Sequence, residues 1–137
     1  MLSGAILSVL GGYYANKLYW QKKDKNNYLA LIQSVIDELE SNKNNLTAKR
    51  LAFSVSVENF KNLEKDPSYI RYCPPKTRER IKNVYSDLRV IIGQARKYPK
   101  ATVEQLLASF KTANIEELID DLSNLLKKGN RNVQNKN

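Results

Sequence analysis

The chain has 137 residues, enough for one domain with a single core, and 23 Lys and Arg against 14 Asp and Glu give it a net charge of +9. The absence of His removes the commonest general base and the commonest transition-metal ligand, and the lone Cys73 excludes an internal disulfide framework. With only five Gly and four Pro, the composition favours helices over a sheet.

Residues 1–22 are predicted to form a single membrane-inserted helix. Residues 1–16 carry no charged side chain, and about twenty helical residues cover about 30 Å, the thickness of a hydrocarbon core. Side chains suited to the headgroup level follow: Tyr13, Tyr14, Lys17, Tyr19 and Trp20. The basic cluster 22–25 comes next, so the positive-inside rule places the N-terminus outside and the rest in the cytoplasm. The strictly apolar run is short, which leaves two alternatives to a membrane helix. One is a buried or oligomeric core helix, and the other is a targeting segment.

Small residues recur at every fourth position of this segment. They are Gly4, Ser8, Gly12 and Asn16. Small side chains at this spacing let two helix backbones approach closely, which predicts packing against another membrane helix. The alternative is that these residues only reflect the frequency of small residues in membrane helices.

An amphipathic helix is predicted over residues 27–46. Its apolar stripe comprises Tyr28, Leu31, Ile32, Val35, Ile36, Leu39 and Leu46. Asp37, Glu38 and Glu40 are predicted to point away from the core. No Gly or Pro separates this stretch from the N-terminal segment, which favours one continuous helix.

Residues 48–65 are predicted to form a second helix, although residues 53–57 alternate in polarity like a strand. We favour the helix because an isolated strand would have no partner. Asp66-Pro67-Ser68 is predicted to end it, and residues 69–74 are predicted to be a loop.

A long helix is predicted from Pro75 to about residue 98, where Pro99 stops it. Thr102 and Gln105 form a capping box for the following helix, and a second cap signal at Asn114 predicts a kink or restart near residues 112–114. Gly129 is predicted to end that helix. The predicted fold is therefore all-α: a membrane helix over 1–22, a small antiparallel bundle of about four helices over 23–128, and a disordered polar tail over 129–137.

A basic line runs along the helix predicted over 75–98. At 100° per residue, four cations fall within about 40° of one another: Arg78, Lys82, Arg89 and Arg96. A basic line beside a core face is often only solvated charge. The functional alternatives are anionic lipid headgroups, an acidic partner surface and nucleic acid.

The sequence contains no Gly-rich phosphate loop, paired-Cys metal spacing or nucleophile elbow. The acidic groups at 37–40 and 116–121 resemble solvated helix surfaces more than a di-metal carboxylate site, which needs inward-facing Glu. We therefore expect no enzyme, no catalytic residue, no metal and no cofactor.

The leading functional hypothesis is a single-pass structural or docking subunit of a larger assembly at the plasma membrane, acting through its helical domain. One alternative is a small homo-oligomeric pore-forming or membrane-perturbing effector. Another is a basic module that binds anionic lipid or nucleic acid at the membrane surface. The expected partners are membrane lipid and either further copies of the chain or other membrane-protein subunits, with nucleic acid least favoured.

Overall fold

A computed structural model describes residues 2–47, 55–97 and 112–134. Within these ranges every regular element is an α-helix, which confirms the predicted all-α class. The helices are α1 (Leu2–Thr47), α2 (Glu58–Lys65), α3 (Pro67–Tyr72), α4 (Pro75–Lys97) and α5 (Thr112–Gln134).

The helix α1 is 46 residues long and has no break, as the sequence favoured, so it measures about 69 Å. Among its described side chains, only those from Asp24 onward contact other parts of the chain, and the close apolar packing begins at Tyr28. Every residue of the predicted stripe is buried there except Leu31, which is half-buried at its edge. Leu29, Glu38 and Asn42, which the predicted stripe did not include, are buried as well. The described side chains before Asp24 are all exposed.

The helices α2 and α5 run back along α1. The end of α2 lies near residue 27 of α1. Asp66, which directly follows α2, accepts a hydrogen bond of 3.0 Å from the Asn27 side chain. On α5, Glu116 forms an ion pair of 3.0 Å with Lys43, whereas Gly129 lies against Leu29. The helix α5 is therefore antiparallel to α1 and covers its whole packed half.

The helix α4 runs parallel to α1 and antiparallel to α5. Tyr72, just before α4, lies 5.7 Å from Tyr28 between ring centroids, and Tyr85 further along donates a hydrogen bond to Glu38. The predicted bounds of this helix are confirmed up to Lys97. Its apolar face closes the core with α2, where the rings of Phe60 and Tyr85 stack at 4.3 Å.

Glu38 was predicted to point away from the core, and that prediction is wrong. Its side chain is buried and accepts four hydrogen bonds. The donors are the Ser56 hydroxyl at 3.0 Å, the Asn59 amide at 2.8 Å, the Phe60 amide at 3.3 Å and the Tyr85 hydroxyl at 2.8 Å. A carboxylate at the positive end of a helix is favourable, and Glu38 thereby fixes the first turn of α2.

The second helix begins at Glu58, so the prediction of a helix from residue 48 is wrong for residues 55–57, and residues 48–54 lie outside the described ranges. The reason is side-chain bonding to the backbone of Ser56. The Asn42 amide donates to the Ser56 carbonyl at 2.8 Å, and its oxygen accepts from the Ser56 amide at 2.9 Å. These bonds satisfy the backbone without a helix.

The predicted loop over residues 69–74 is also wrong in part, because α3 occupies Pro67–Tyr72. Asp66 caps this short helix by accepting a hydrogen bond of 2.9 Å from the Ser68 amide, and Pro67 stands at its first position. An acidic cap followed by Pro is a start signal, and the sequence prediction used it only as a stop.

Gly129 does not end the last helix, which continues to Gln134, so the prediction of a disordered tail from residue 129 is wrong as far as residue 134. A Cβ added at Gly129 would lie 2.7 Å from Leu29 Cδ2. The glycine therefore allows close helix packing and does not serve as a terminal cap. The predicted capping box at residues 102–105 and residues 135–137 lie outside the described residues.

Within the described ranges, none of the helices combines the length and the apolar character needed to cross a membrane. The predicted membrane span over residues 1–22 is therefore not supported. The helix α1 has the length, but Asn16, Lys17 and the lysines from Lys22 onward dilute its apolar run.

Candidate functional site

The first half of α1 projects from the bundle, and we call residues 8–23 the arm. Every side chain of the arm is exposed. Seven of them are large and apolar or aromatic: Val9, Leu10, Tyr13, Tyr14, Leu18, Tyr19 and Trp20. Single exposed apolar residues are ordinary, but a contiguous set of this size marks an interaction surface.

Five residues predicted to lie at a membrane interface belong to the arm: Tyr13, Tyr14, Lys17, Tyr19 and Trp20. The ring centroids of Tyr13 and Tyr14 are 6.2 Å apart, and those of Tyr19 and Trp20 are 5.7 Å apart, both edge to face. The Lys23 ammonium lies 5.0 Å from the centre of the Trp20 ring. At 100° per residue these aromatic side chains leave the helix in different directions, so they form a belt and not a single face.

A line of three bulky residues, Leu10, Tyr14 and Leu18, runs along one side of the arm. Eighteen residues, or about five helical turns, separate each of them from a buried residue of the bundle. The corresponding buried residues are Tyr28, Ile32 and Ile36, in that order. The arm therefore continues the apolar stripe of the bundle core. In the described part of the chain no other element covers this continuation.

The predicted small-residue line lies on the opposite side of the arm from Leu10 and Leu18. Ser8, Gly12 and Asn16 are exposed, and a Cβ added at Gly12 would have no neighbour within 4 Å. Gly4 lies in α1, but its surroundings fall outside the described side chains. The geometry thus leaves room for a close neighbour beside Ser8, Gly12 and Asn16, and no described residue occupies that space.

The arm is supported at its root by contacts that tie α1 to α3. Arg71 pairs with Asp24, and Tyr72 packs on Tyr28. One turn further along, Asn27 holds the Asp66 carboxylate. Sequence reasoning missed this support, because the paired residues Asp24 and Arg71 are 47 positions apart and no local signal connects them.

The predicted basic line on α4 divides into different environments. Lys82 is exposed, whereas Arg78 is half-buried with its Nε enclosed. Arg89 pairs with Glu64 at 3.6 Å and lies 5.8 Å from the Phe60 ring centre, so it is already engaged within the molecule. The side chain of Arg96 lies outside the described residues. The line therefore does not form one uniform, unengaged surface.

The reactive side chains of the bundle are enclosed. Cys73 is buried, and burial raises the pKa of its thiol, which disfavours the nucleophilic thiolate. Burial also raises the pKa of the Tyr28, Tyr69 and Tyr85 hydroxyls far above the ordinary range, and the Glu38 carboxylate adds to this effect at Tyr85. These groups are enclosed in the core, whereas the large apolar side chains of the arm are exposed.

Comparison of the chain with protein-family models, with curated protein sequences and with solved structures gave no match.

Proposed function

We propose that this chain is a non-catalytic docking protein that attaches to a membrane through its arm and presents its helical bundle at the membrane surface as a subunit of a larger assembly. The observation that supports this function is the arm itself, a helix end that carries seven exposed large apolar or aromatic side chains. Water contact at such a surface is costly, since burying one Val or Leu side chain contributes about 1.5–3 kcal/mol.

The distribution of these side chains favours lipid over a single partner helix. A partner helix covers one side of the arm, for example Leu10 and Leu18. It would leave Tyr19 on the opposite side and Trp20 beside it in water. A lipid phase surrounds the helix and covers all of these side chains. The combination of Tyr and Trp with lysines just beyond them is typical of the membrane–water interface.

The dimensions agree with partial insertion of the described helix. If the belt from Tyr13 to Trp20 lies at the headgroups, residues 2–12 extend about 17 Å beyond it. That distance is about half of a hydrocarbon core of about 30 Å. The lysines after Trp20 then face the aqueous side with the bundle. Because anionic lipid and positive residues meet on the cytoplasmic face of a plasma membrane, we place the bundle there.

Flotation of the full-length protein with phosphatidylcholine vesicles tests this function. The arm variant carries Val9→Gln and Leu18→Gln. A matched control carries Val90→Gln and Ile70→Gln, which replace side chains of similar size and exposure on the bundle (57% and 66% against 72% and 63%). We expect the arm variant to bind at least about a hundredfold more weakly, because its two side chains together contribute about 3–6 kcal/mol, and the control to float like the parent. Equal flotation of both variants would contradict the proposal.

A second candidate function is self-association through the arm, favoured by the line Leu10, Tyr14 and Leu18. Residues at this spacing form an apolar ridge that the groove of a helix from a second copy could cover. Sedimentation velocity without lipid distinguishes the two functions. A stable oligomer that the Val9 and Leu18 replacements dissociate would favour self-association, whereas a monomer that binds vesicles favours membrane attachment.

A further inference from the structure

The charges of the bundle are separated along its length. Exposed or half-exposed cations from all five helices gather at the end from which the arm emerges, and we call them the basic end. They are Lys22, Lys23, Lys25, Lys65, Arg71, Lys76, Lys127, Lys128 and Arg131. These residues are scattered over more than a hundred positions of the sequence, so only the fold brings them together.

Direct contacts place these cations at one end. Arg71 pairs with Asp24, and Lys65 is the neighbour of Asp66, which holds Asn27. Lys127, Lys128 and Arg131 flank Gly129, which is packed against Leu29. Lys76 lies in the first turn of α4, shortly after Tyr72 and its contact with Tyr28. All of these contacts fall between residues 24 and 29 of α1.

The middle and far parts of the bundle are acidic among the described residues. Their exposed or half-exposed carboxylates include Asp37, Glu40, Asp87, Glu116, Glu117, Asp120 and Asp121. One of them, Glu116, lies against Lys43 on α1, about four to five turns of helix beyond the contacts at residues 24–29. The basic end also carries the carboxylates Asp24, Glu64, Asp66 and Glu79, and Lys43 and Lys97 lie toward the other end. Cations nevertheless outnumber carboxylates near the arm, and carboxylates outnumber cations away from it.

We propose that the basic end binds anionic phospholipid headgroups of the same membrane that the arm enters. This inference rests on the function proposed above and adds the lipid class. A membrane is the partner that fits, because only a broad negative surface can receive the arm and contact cations from α1, α2, α3, α4 and α5 together. One apolar segment gives weak attachment, and a polybasic surface beside it supplies the second signal that stable attachment needs.

The effect expected from each cation follows from its distance to the surface. A Lys or Arg close to an anionic membrane strengthens binding about fivefold, and the effect falls off within a Debye length of about 8–10 Å. Residue 29 lies nine positions, about 14 Å of helix, beyond Trp20, and lysine side chains shorten that gap. Three cations of α5 are therefore expected to contribute at least about tenfold together.

The test uses the full-length protein and vesicles of phosphatidylcholine with and without phosphatidylserine. The basic-end variant carries Lys127→Gln, Lys128→Gln and Arg131→Gln. A control of equal charge carries Lys61→Gln, Lys82→Gln and Lys97→Gln, which are exposed cations away from the arm. We expect the parent and the control to prefer phosphatidylserine vesicles, increasingly so at low salt, and the basic-end variant to lose at least about tenfold of that preference. Circular dichroism should show equal helicity for all three.

Each other outcome overturns the inference in a distinguishable way. A parent that binds phosphatidylcholine through its arm without preferring phosphatidylserine leaves membrane attachment intact and removes the anionic-lipid claim. If both charge variants lose the preference for phosphatidylserine equally, the net charge of the protein accounts for that preference and the basic end has no special role. A parent that floats with neither vesicle overturns the attachment and the lipid class together.

Discussion

Leu18 and Ile36 lie on the same side of α1, about five turns apart, yet Leu18 is 63% exposed and Ile36 is 4% exposed. The two halves of this helix carry the same apolar stripe and differ only in what covers it. Among the described residues, the contacts of α2, α3 and α5 with α1 reach back as far as Asp24. An apolar stripe thus predicts a helix and the side of that helix that becomes covered. What covers the stripe depends on the rest of the fold.

The largest expected effect separates the two halves by stability. Leu39→Ala removes a fully buried side chain and should lower the free energy of unfolding by about 2–5 kcal/mol. Leu18→Ala removes an exposed side chain and should change it by less than about 0.5 kcal/mol. Urea denaturation followed by circular dichroism measures both. Equal losses would show that the arm is packed in solution.

The next effect concerns the polar contact inside the packed half. Glu38→Gln keeps one acceptor oxygen but turns an amide toward two of the four donors. It should therefore cost about 2–3 kcal/mol through unpaired buried groups. Glu40→Gln, on an exposed position two residues away, serves as the control and should be neutral within about 0.5 kcal/mol. A Glu38 variant as stable as its control would contradict the capping role.

Two glycines, one in each half of the molecule, provide a further comparison between the packed bundle and the exposed arm. Gly129→Leu forces side-chain atoms against Leu29 and should cost about 1–3 kcal/mol through overpacking. Gly12→Leu meets open space and favours the helix, so the bundle should keep its stability and the helicity should not fall. Cross-linking of the Gly12 variant in detergent or vesicles also tests the small-residue line, since a neighbouring helix packed there would be displaced.

The smallest effect concerns the root of the arm. Hydrogen bonds from Ser68 hold the pKa of Asp66 below its ordinary value. The resulting stabilisation is present above about pH 4, where the unfolded Asp is ionised, and is lost as the pH falls through the lower folded pKa. Asp66→Asn keeps a capping oxygen but cannot titrate. Its free energy of unfolding should therefore decline less below pH 4, by an amount under about 1 kcal/mol. Parallel acid titrations of both proteins would contradict this role.

The sequence was sufficient where a long periodic pattern decides the structure. The stripe from Tyr28 to Leu46 and the helix from Pro75 to Lys97 are both present in the structure. It failed where a distant side chain decides. Ser56 is not helical, because the Asn42 side chain binds its backbone. Glu38 is buried, because backbone amides of α2 and the Tyr85 hydroxyl donate hydrogen bonds to it.

The candidate site shows the same division. The aromatic belt could be predicted, because Tyr13, Tyr14, Tyr19 and Trp20 are close in sequence. The basic end could not, since Lys65, Lys76 and Lys128 meet only through the topology of the bundle. The predicted basic line on α4 used spacing alone and did not foresee the engagement of Arg89 with Glu64 and Phe60. Spacing within one helix places charges on a side, and only tertiary contacts show which of them stay available.

The fluorescence of Trp20 tests membrane attachment by the arm most directly, because it is the only tryptophan in the chain and is 59% exposed on the arm. We predict that vesicles containing phosphatidylserine shift its emission to shorter wavelength, and that lipids brominated near the headgroup quench it more than lipids brominated near the bilayer centre. Emission that stays unchanged at saturating lipid would contradict attachment through the arm.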